Sequence, residues 1–176
     1  MTQLLIRPST SGDLTAVNAI YGWNVLHGTG TFEFDPPDEA EMARRRDDVL
    51  AQGLPWLVLE EGGRVRGFAY ANRFRARPAY RYCLEDSVYL AADAVGRGRG
   101  RLLLVELIAR SEAWGARQMV ALIGDSANGG SVGVHRALGF AAVGTIQAAG
   151  RKADRWLDVV IMQRGLGPGA ATAPAA

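Results

Sequence analysis

One cysteine, two histidines and no apolar run near the ~20 residues of a membrane span set the first limits on this 176-residue chain. A lone Cys83 cannot close an internal disulfide, so a reducing cytoplasm is the expected compartment, and a small buried thiol is preferred over a nucleophile. Cys83, His27 and His135 are too scattered for a zinc pattern, and no metal is expected. The apolar part of Met1 to Arg7 is too short for a signal peptide, and nothing suggests a membrane partner. A net charge of +2 and a pI near 9.0 give no ground for a nucleic-acid partner. With 48% hydrophobic and 22% charged residues the chain is neither disordered nor fibrous, and its length fits one domain that needs no staples.

What is present is ordered by pattern. Leu4 to Arg7 reads as a strand. Thr10-x-x-Asp13 has the form of a capping box, with Leu14, Val17, Ile20 and Tyr21 following at helical spacing. Asp35-Pro36-Pro37 is expected to open a second helix, with Met42, Val49 and Leu50 on its apolar side and Gly53 as its stop. Trp56 to Glu60 and Arg64 to Asn72 flank Gly62-Gly63 as a hairpin, and Tyr82 to Leu90 reads as a central strand. After a glycine-rich turn, Leu102, Leu103, Val105, Leu107, Ile108 and Trp114 predict a long apolar helix. Gln118 to Ile123 is a short buried strand, Ser131 to Leu138 a short helix ended by Gly139, and Phe140 to Ala148 and Arg155 to Met162 closing strands. Residues 165–176, all Gly, Pro, Ala, Thr and Leu, are expected to be a disordered tail behind a domain of residues 1–164. The order predicts an α/β domain (α+β in its segregation) on one central mixed sheet flanked by helices.

The turn Val95-Gly-Arg-Gly-Arg-Gly-Arg101 lies between a buried strand and a buried helix. Glycines there let backbone N–H groups approach a phosphate, and the helix N-terminus adds its positive end. A tight strand-to-helix turn is the plainer alternative. A dinucleotide fingerprint needs glycine where Arg101 stands, and a P-loop needs a lysine that is absent from the turn.

In strand, loop and helix the segment Val88 to Leu104 resembles the pyrophosphate loop of the GNAT acetyltransferase superfamily, [QR]-x-x-G-x-[GA], with Val95 departing from the preferred Gln or Arg. Asn128-Gly-Gly-Ser131 and Val134-His-Arg-Ala-Leu-Gly-Phe140 resemble its second cofactor motif. Together with Tyr21, Thr31-Phe-Glu33, Arg75-Ala-Arg77, Tyr80, Leu84-Glu-Asp-Ser-Val-Tyr89 and Trp156-Leu-Asp158 they resemble the phosphinothricin and methionine-sulfoximine acetyltransferase branch over residues 3–163. The resemblance implies a GNAT fold with splayed parallel strands, acetyl-CoA as co-substrate and a homodimer. It implies that Val88, Tyr89 and Leu90 line the pantetheine path and that Gly96, Arg97, Gly98, Arg99, Gly100 and Arg101 cradle the pyrophosphate. Asn128 and Ser131 would meet the pantetheine side, and His135 would lie near the thiol.

Direct transfer to an amine needs a proton acceptor. Glu85, a carboxylate inside an apolar strand, is the first candidate for base, with a structural salt bridge to Arg81 or Arg75 as the alternative. Asp86 should face the other way and ranks second. His135 reads either as a second acid/base or as a helix residue packing beside the cofactor, and Tyr89 either as an acid for the thiolate or as core. By the resemblance, Arg75 and Arg77 hold the acceptor's acid group, while Phe32 and Tyr80 shape its pocket. The expected function is N-acetylation of a small amino acid or analogue. The alternatives are an acetyltransferase for another amine (polyamine, aminoglycoside or protein N-terminus) and a non-catalytic acyl-CoA-binding module.

Overall fold

In the computed structural model, which describes residues 3–174, seven strands form one sheet in the order β1-β2-β3-β4-β5-β7-β6. These are β1 Leu4–Pro8, β2 Trp56–Glu61, β3 Arg64–Arg73, β4 Cys83–Leu90, β5 Gln118–Gly124, β6 Ala141–Lys152 and β7 Arg155–Gly165. The helices are α1 Leu14–His27, α2 Glu39–Ala51, α3 Arg99–Trp114 and α4 Gly129–Ala137. All neighbouring pairs are antiparallel except β4 and β5. That single parallel pair makes the sheet mixed and sits at its middle.

Local chemistry explains the elements. The Asp13 carboxylate accepts from the Thr10 amide at 2.7 Å and from Arg7 at 2.8 and 2.9 Å, fixing the entry to α1. Val17, Ile20, Tyr21 and Val25 then bury one face of α1, and Leu103, Leu104, Leu107 and Ile108 bury one face of α3. Each fully buried leucine contributes about 1.5–3 kcal/mol by transfer from water.

Several expectations need correction. Asp38, not Asp35, caps α2 by accepting from the Glu41 amide, because Pro36 and Pro37 precede the helix rather than start it. Leu50, Leu102 and Val105 turn outward, since the buried stripes are narrower than the apolar runs. Helix α4 begins at Gly129, two residues early, because the Asn128 side chain caps it, and the closing strands run on to Lys152 and Gly165. The segment expected as a disordered tail folds back on the domain: Leu166 is buried, and Arg117 donates to the carbonyls of Gly169 and Ala173. Residues 175 and 176 of that tail lie outside the described residues.

Candidate active site

Strands β4 and β5 pair only from Cys83↔Gln118 to Asp86↔Ala121, and beyond that they splay. Backbone direction in the splay follows from its two ends. The Tyr82 carbonyl accepts from Arg117 and Gln118 on the β5 side, while the Ala91 amide donates to Arg66 on β3. Alternation therefore turns the polar groups of Val88 and Leu90 toward the missing partner strand. The result is a cleft of about 920 Å³ lined by Glu85 to Leu90 on one wall and Ala121 to Asp125 on the other.

The mouth of the cleft is the turn before α3. Gly96 and Gly98 have φ of 76° and 74°, a left-handed backbone that a side chain disfavours, and a Cβ at either would meet nothing within 4 Å. With Gly98 at the N-cap of a 16-residue helix, open amides and the helix dipole face one concavity. Gly96, Gly98, Gly100 and Arg101 line it. Two arginines do not. Arg97 is exposed outside the cleft, and Arg99 is buried with its guanidinium on Glu61.

The cleft passes between two differently covered faces. Tyr21 of α1 packs edge-on against Tyr89 at 4.9 Å, which places Glu85, Ser87 and Tyr89 on the α1 face. Leu103 of α3 lies over Gly67 beside Leu90, so Leu84, Asp86 and Val88 face α3 and α4. Burial pushes the Glu85 carboxyl up from its ordinary value, the Arg75 charge pulls it partly back and the Asp86 charge pushes it up again. The arginines considered as ion-pair partners are engaged elsewhere: Arg75 stacks on Phe74 at 4.2 Å and Arg81 on Tyr82 at 4.8 Å. The Tyr89 hydroxyl is driven well above its usual range by burial, and its ring stacks on Phe68 at 5.2 Å, which favours the core reading.

His135 is 2% exposed and both ring nitrogens are occupied. Nδ1 lies 2.7 Å from the Ser131 carbonyl, which can only accept, so Nδ1 carries a proton. Nε2 lies 2.9 Å from Asp86 Oδ2, and the two share one further proton. Burial alone would lower the His135 pKa, but the Asp86 hydrogen bond and charge and the Ser131 carbonyl outweigh it and leave it raised. Both nitrogens of His135, which also lines the cleft, are thus engaged within the protein, as the reading of a helix residue packing beside the cofactor expects.

Asn128 and Ser131 also line the cleft. The acceptor-side candidates do not line it. Phe32 packs on Gly150, where a Cβ would approach its ring to 2.5 Å, and Tyr80 sits edge-on to Phe74 at 5.9 Å. Arg75 and Arg77 are exposed in the loop before β4, with only Arg75 near enough to act on Glu85.

Two polar cleft residues with defined partners, Asn24 and Asp125, escaped the sequence reading. Asn24 donates to the Leu90 carbonyl at 3.1 Å, and its signal was a polar residue on the inward stripe of α1. Asp125, at φ 72°, accepts from Thr29 at 3.0 Å, from the Ala127 amide at 3.0 Å and from Arg155. It ties three cleft-lining segments together and left no local signal.

Residues 19–140 match the acetyltransferase (GNAT) family. The chain is 49% identical over 169 residues to a phosphinothricin N-acetyltransferase of Alcaligenes faecalis, covering 96% of this chain and 86% of that protein. It is 38% identical over 164 residues to an L-methionine sulfoximine/L-methionine sulfone acetyltransferase of Pseudomonas aeruginosa, covering 93% and 95%. A crystal structure of a GNAT superfamily phosphinothricin acetyltransferase from Sinorhizobium meliloti in complex with acetyl-CoA superposes with a TM-score of 0.95 at 46% identity, over 98% of this chain and 93% of that one.

Proposed function

The chain belongs to the acetyltransferase (GNAT) family, and from that premise we propose that the cleft through its sheet is where an acceptor amine, entering on the α1 face, loses its proton to Glu85. The protein is an acetyl-CoA-dependent N-acetyltransferase, and its acceptor is a small amino acid or analogue of the kind named for its relatives.

The observation that carries the reading is the splay. Val88 and Leu90 offer backbone groups along an edge with no partner strand, and that edge leads from the glycine turn to Glu85. This fits a long ligand with amides in its middle and phosphates at one end: Gly96, Gly98, Gly100 and Arg101 would hold the phosphates, and Asn128 the middle. Bound acetyl-CoA supplies an activated acetyl group as a thioester. The protein's own task is to deliver a neutral amine. Glu85, held above the ordinary carboxylate range yet open to the cleft, accepts the ammonium proton and returns it to solvent. Arg75, whose charge reaches Glu85 from the loop before β4, would hold the acceptor's carboxylate, whereas Arg77, Phe32 and Tyr80 lie outside the cleft lining.

Two further parts of the reading concern the whole molecule. A homodimer is supported by the outer strand β6, which has a free edge and, with β7, exposes Val143, Ile146 and Trp156. Light scattering at micromolar concentration should give twice the chain mass. The unpaired Cys83 supports a cytoplasmic location.

Thioester consumption measured with phosphinothricin, methionine sulfoximine, methionine sulfone, their carboxamides and a polyamine tests the function. Turnover should fall sharply from each acid to its amide. Equal rates with amides or with the polyamine would overturn the amino-acid reading in favour of another amine.

A further inference from the structure

The glycine turn has little internal support. Val95 is 59% exposed, Gly96 and Gly98 have no side chain, and Arg97 is exposed outside the cleft. Both ends of the turn are nonetheless tied to one hairpin, β2–β3. At the leading end the Ala91 amide donates to the Arg66 carbonyl at 2.9 Å, and the Arg66 side chain pairs with Asp93. At the trailing end Arg99, the first residue of α3, lays its guanidinium on Glu61, the last residue of β2, through Nε at 3.1 Å and through Nη2 at 2.6 Å to the same oxygen. The two ties differ in weight. The Asp93 side chain is 66% exposed, and such surface pairs contribute little. The Arg99 and Glu61 side chains are 9% and 23% exposed, so their pair is geometrically fixed and costly to break.

We propose that the Glu61–Arg99 ion pair is a positioning contact that holds the phosphate-binding turn in register with the cleft, in the absence of the side-chain support that Val95 cannot give. Arg99 then acts on the anion through the backbone that it anchors rather than through its own charge. It sits at the residue after the left-handed Gly98, where a small rotation of the helix start would turn the open amides away from the phosphates. The inference rests on residues 96–101 being the pyrophosphate cradle, and the test separates the two.

The kinetic constants for acetyl-CoA and acceptor, the Kd for coenzyme A and the Tm would be measured for Glu61→Gln, for the swap Glu61→Arg with Arg99→Glu, for Glu60→Gln and for Gly98→Val. Glu61→Gln should raise the KM for acetyl-CoA and the Kd for coenzyme A roughly tenfold, the scale of one charge-assisted contact, with kcat and the acceptor KM nearly unchanged. The swap should recover most of the loss. Glu60, one residue away, pairs instead with Arg7 at 2.9 Å, so Glu60→Gln should lower Tm without moving the cofactor constants. A folded Glu61→Gln with wild-type affinity, or a swap that recovers nothing, overturns the positioning role. Gly98→Val strains a φ of 74° and fills the approach to the amides, so it should raise the same constants at least as much. If it is also silent, the cradle reading itself fails; if it alone responds, only the Glu61–Arg99 proposal fails. Should Glu61→Gln not fold, Arg99→Lys, which keeps the charge but loses the fork, decides on the same readouts: a several-fold rise supports the role and no change overturns it.

Discussion

Glu85 and Asp86 occupy consecutive positions on β4, and alternation sends one carboxylate to the α1 face and the other toward α3 and α4. Asp86 is 7% exposed and shares a proton with His135, whose other nitrogen is tied to a backbone carbonyl. Glu85 is half-buried, opens on the cleft and is influenced by Arg75 and Asp86 through space without an ion pair. A buried acid that is paired is a structural element, whereas a desolvated acid left unpaired next to a cleft keeps its proton affinity available for chemistry. The two sites test each other, because each acid is the control for its neighbour.

The largest separation is expected in rate. Glu85→Gln preserves size and hydrogen bonding but cannot take a proton, so kcat at neutral pH should drop by roughly two to four orders of magnitude with the cofactor KM unchanged. The wild-type rate should rise with pH through an apparent pKa above that of a free carboxylate, because only the ionised Glu85 is a base. Activity of the variant should partly return at high pH, where the ammonium group loses its proton unaided. A kcat within a few-fold of wild type would erase the distinction between the two acids.

Asp86→Asn should reverse the pattern, with stability rather than chemistry paying most. Removing one partner of a buried pair costs about 3–5 kcal/mol as an upper range, and the amide that replaces it retains part of the hydrogen bonding. The sign with pH follows from His135. Its folded pKa is raised, so the pair's stabilisation is fully present below the unfolded value of 6.5 and is lost as pH rises through the folded value. The Tm gap between wild type and Asp86→Asn should therefore be widest below pH 6.5 and shrink as the pH rises above it. The kinetic side is smaller: without the Asp86 charge, which pushes Glu85 up, the acid limb of the rate profile should move to lower pH. A gap that widens with pH would refute the shared-proton account.

The contrast between these acids was half legible in the sequence. Period two along Cys83 to Leu90 gave their opposite orientations, and a glutamate in an apolar run gave the suspicion of function. That Asp86 meets His135, 49 residues on, depends on how α4 docks against the splayed strands, which no local pattern records. The direction of the Arg99 side chain was illegible for a related reason: its place among glycines suggested an anion ligand, but as the first residue of α3 its guanidinium falls on the hairpin side, on Glu61. Capping at Asp38 rather than Asp35 was missed because two prolines were read as the helix start.

Arg75 offers a finer probe of Glu85. Its charge holds the Glu85 pKa down against burial, so Arg75→Ala should shift the acid limb to higher pH, opposite in direction to Asp86→Asn. Loss of its contact with the acceptor carboxylate should also lower kcat/KM for the acceptor by about 1.5–3 kcal/mol, or roughly tenfold to a hundredfold, with the acetyl-CoA KM unchanged. Shifts of the same sign in the two variants would show that Glu85 does not report these charges.

The smallest expected effect lies away from both acids. Val95 lines the cleft at its mouth with an exposed side chain, where the family motif places Gln or Arg. Val95→Gln adds a neutral donor and acceptor within reach of the phosphates, and a neutral hydrogen bond contributes about 0.5–1.5 kcal/mol, so the Kd for coenzyme A should fall by about twofold to tenfold. The extended backbone at this position, φ −68° and ψ 149°, accepts glutamine without strain, so no fold penalty should offset the gain. Because the turn is already anchored through Glu61 and Arg99, the gain should be near twofold in the otherwise wild-type protein and larger in a Glu61→Gln background, where the anchoring is gone. Neither the acid limb of the rate profile nor the pH dependence of Tm should move, since Glu85 and the Asp86–His135 pair lie deeper in the cleft. Equal gains in both backgrounds would show that the residue at 95 and the ion pair act independently, and a shifted acid limb would mean that the cofactor turn and the base are coupled.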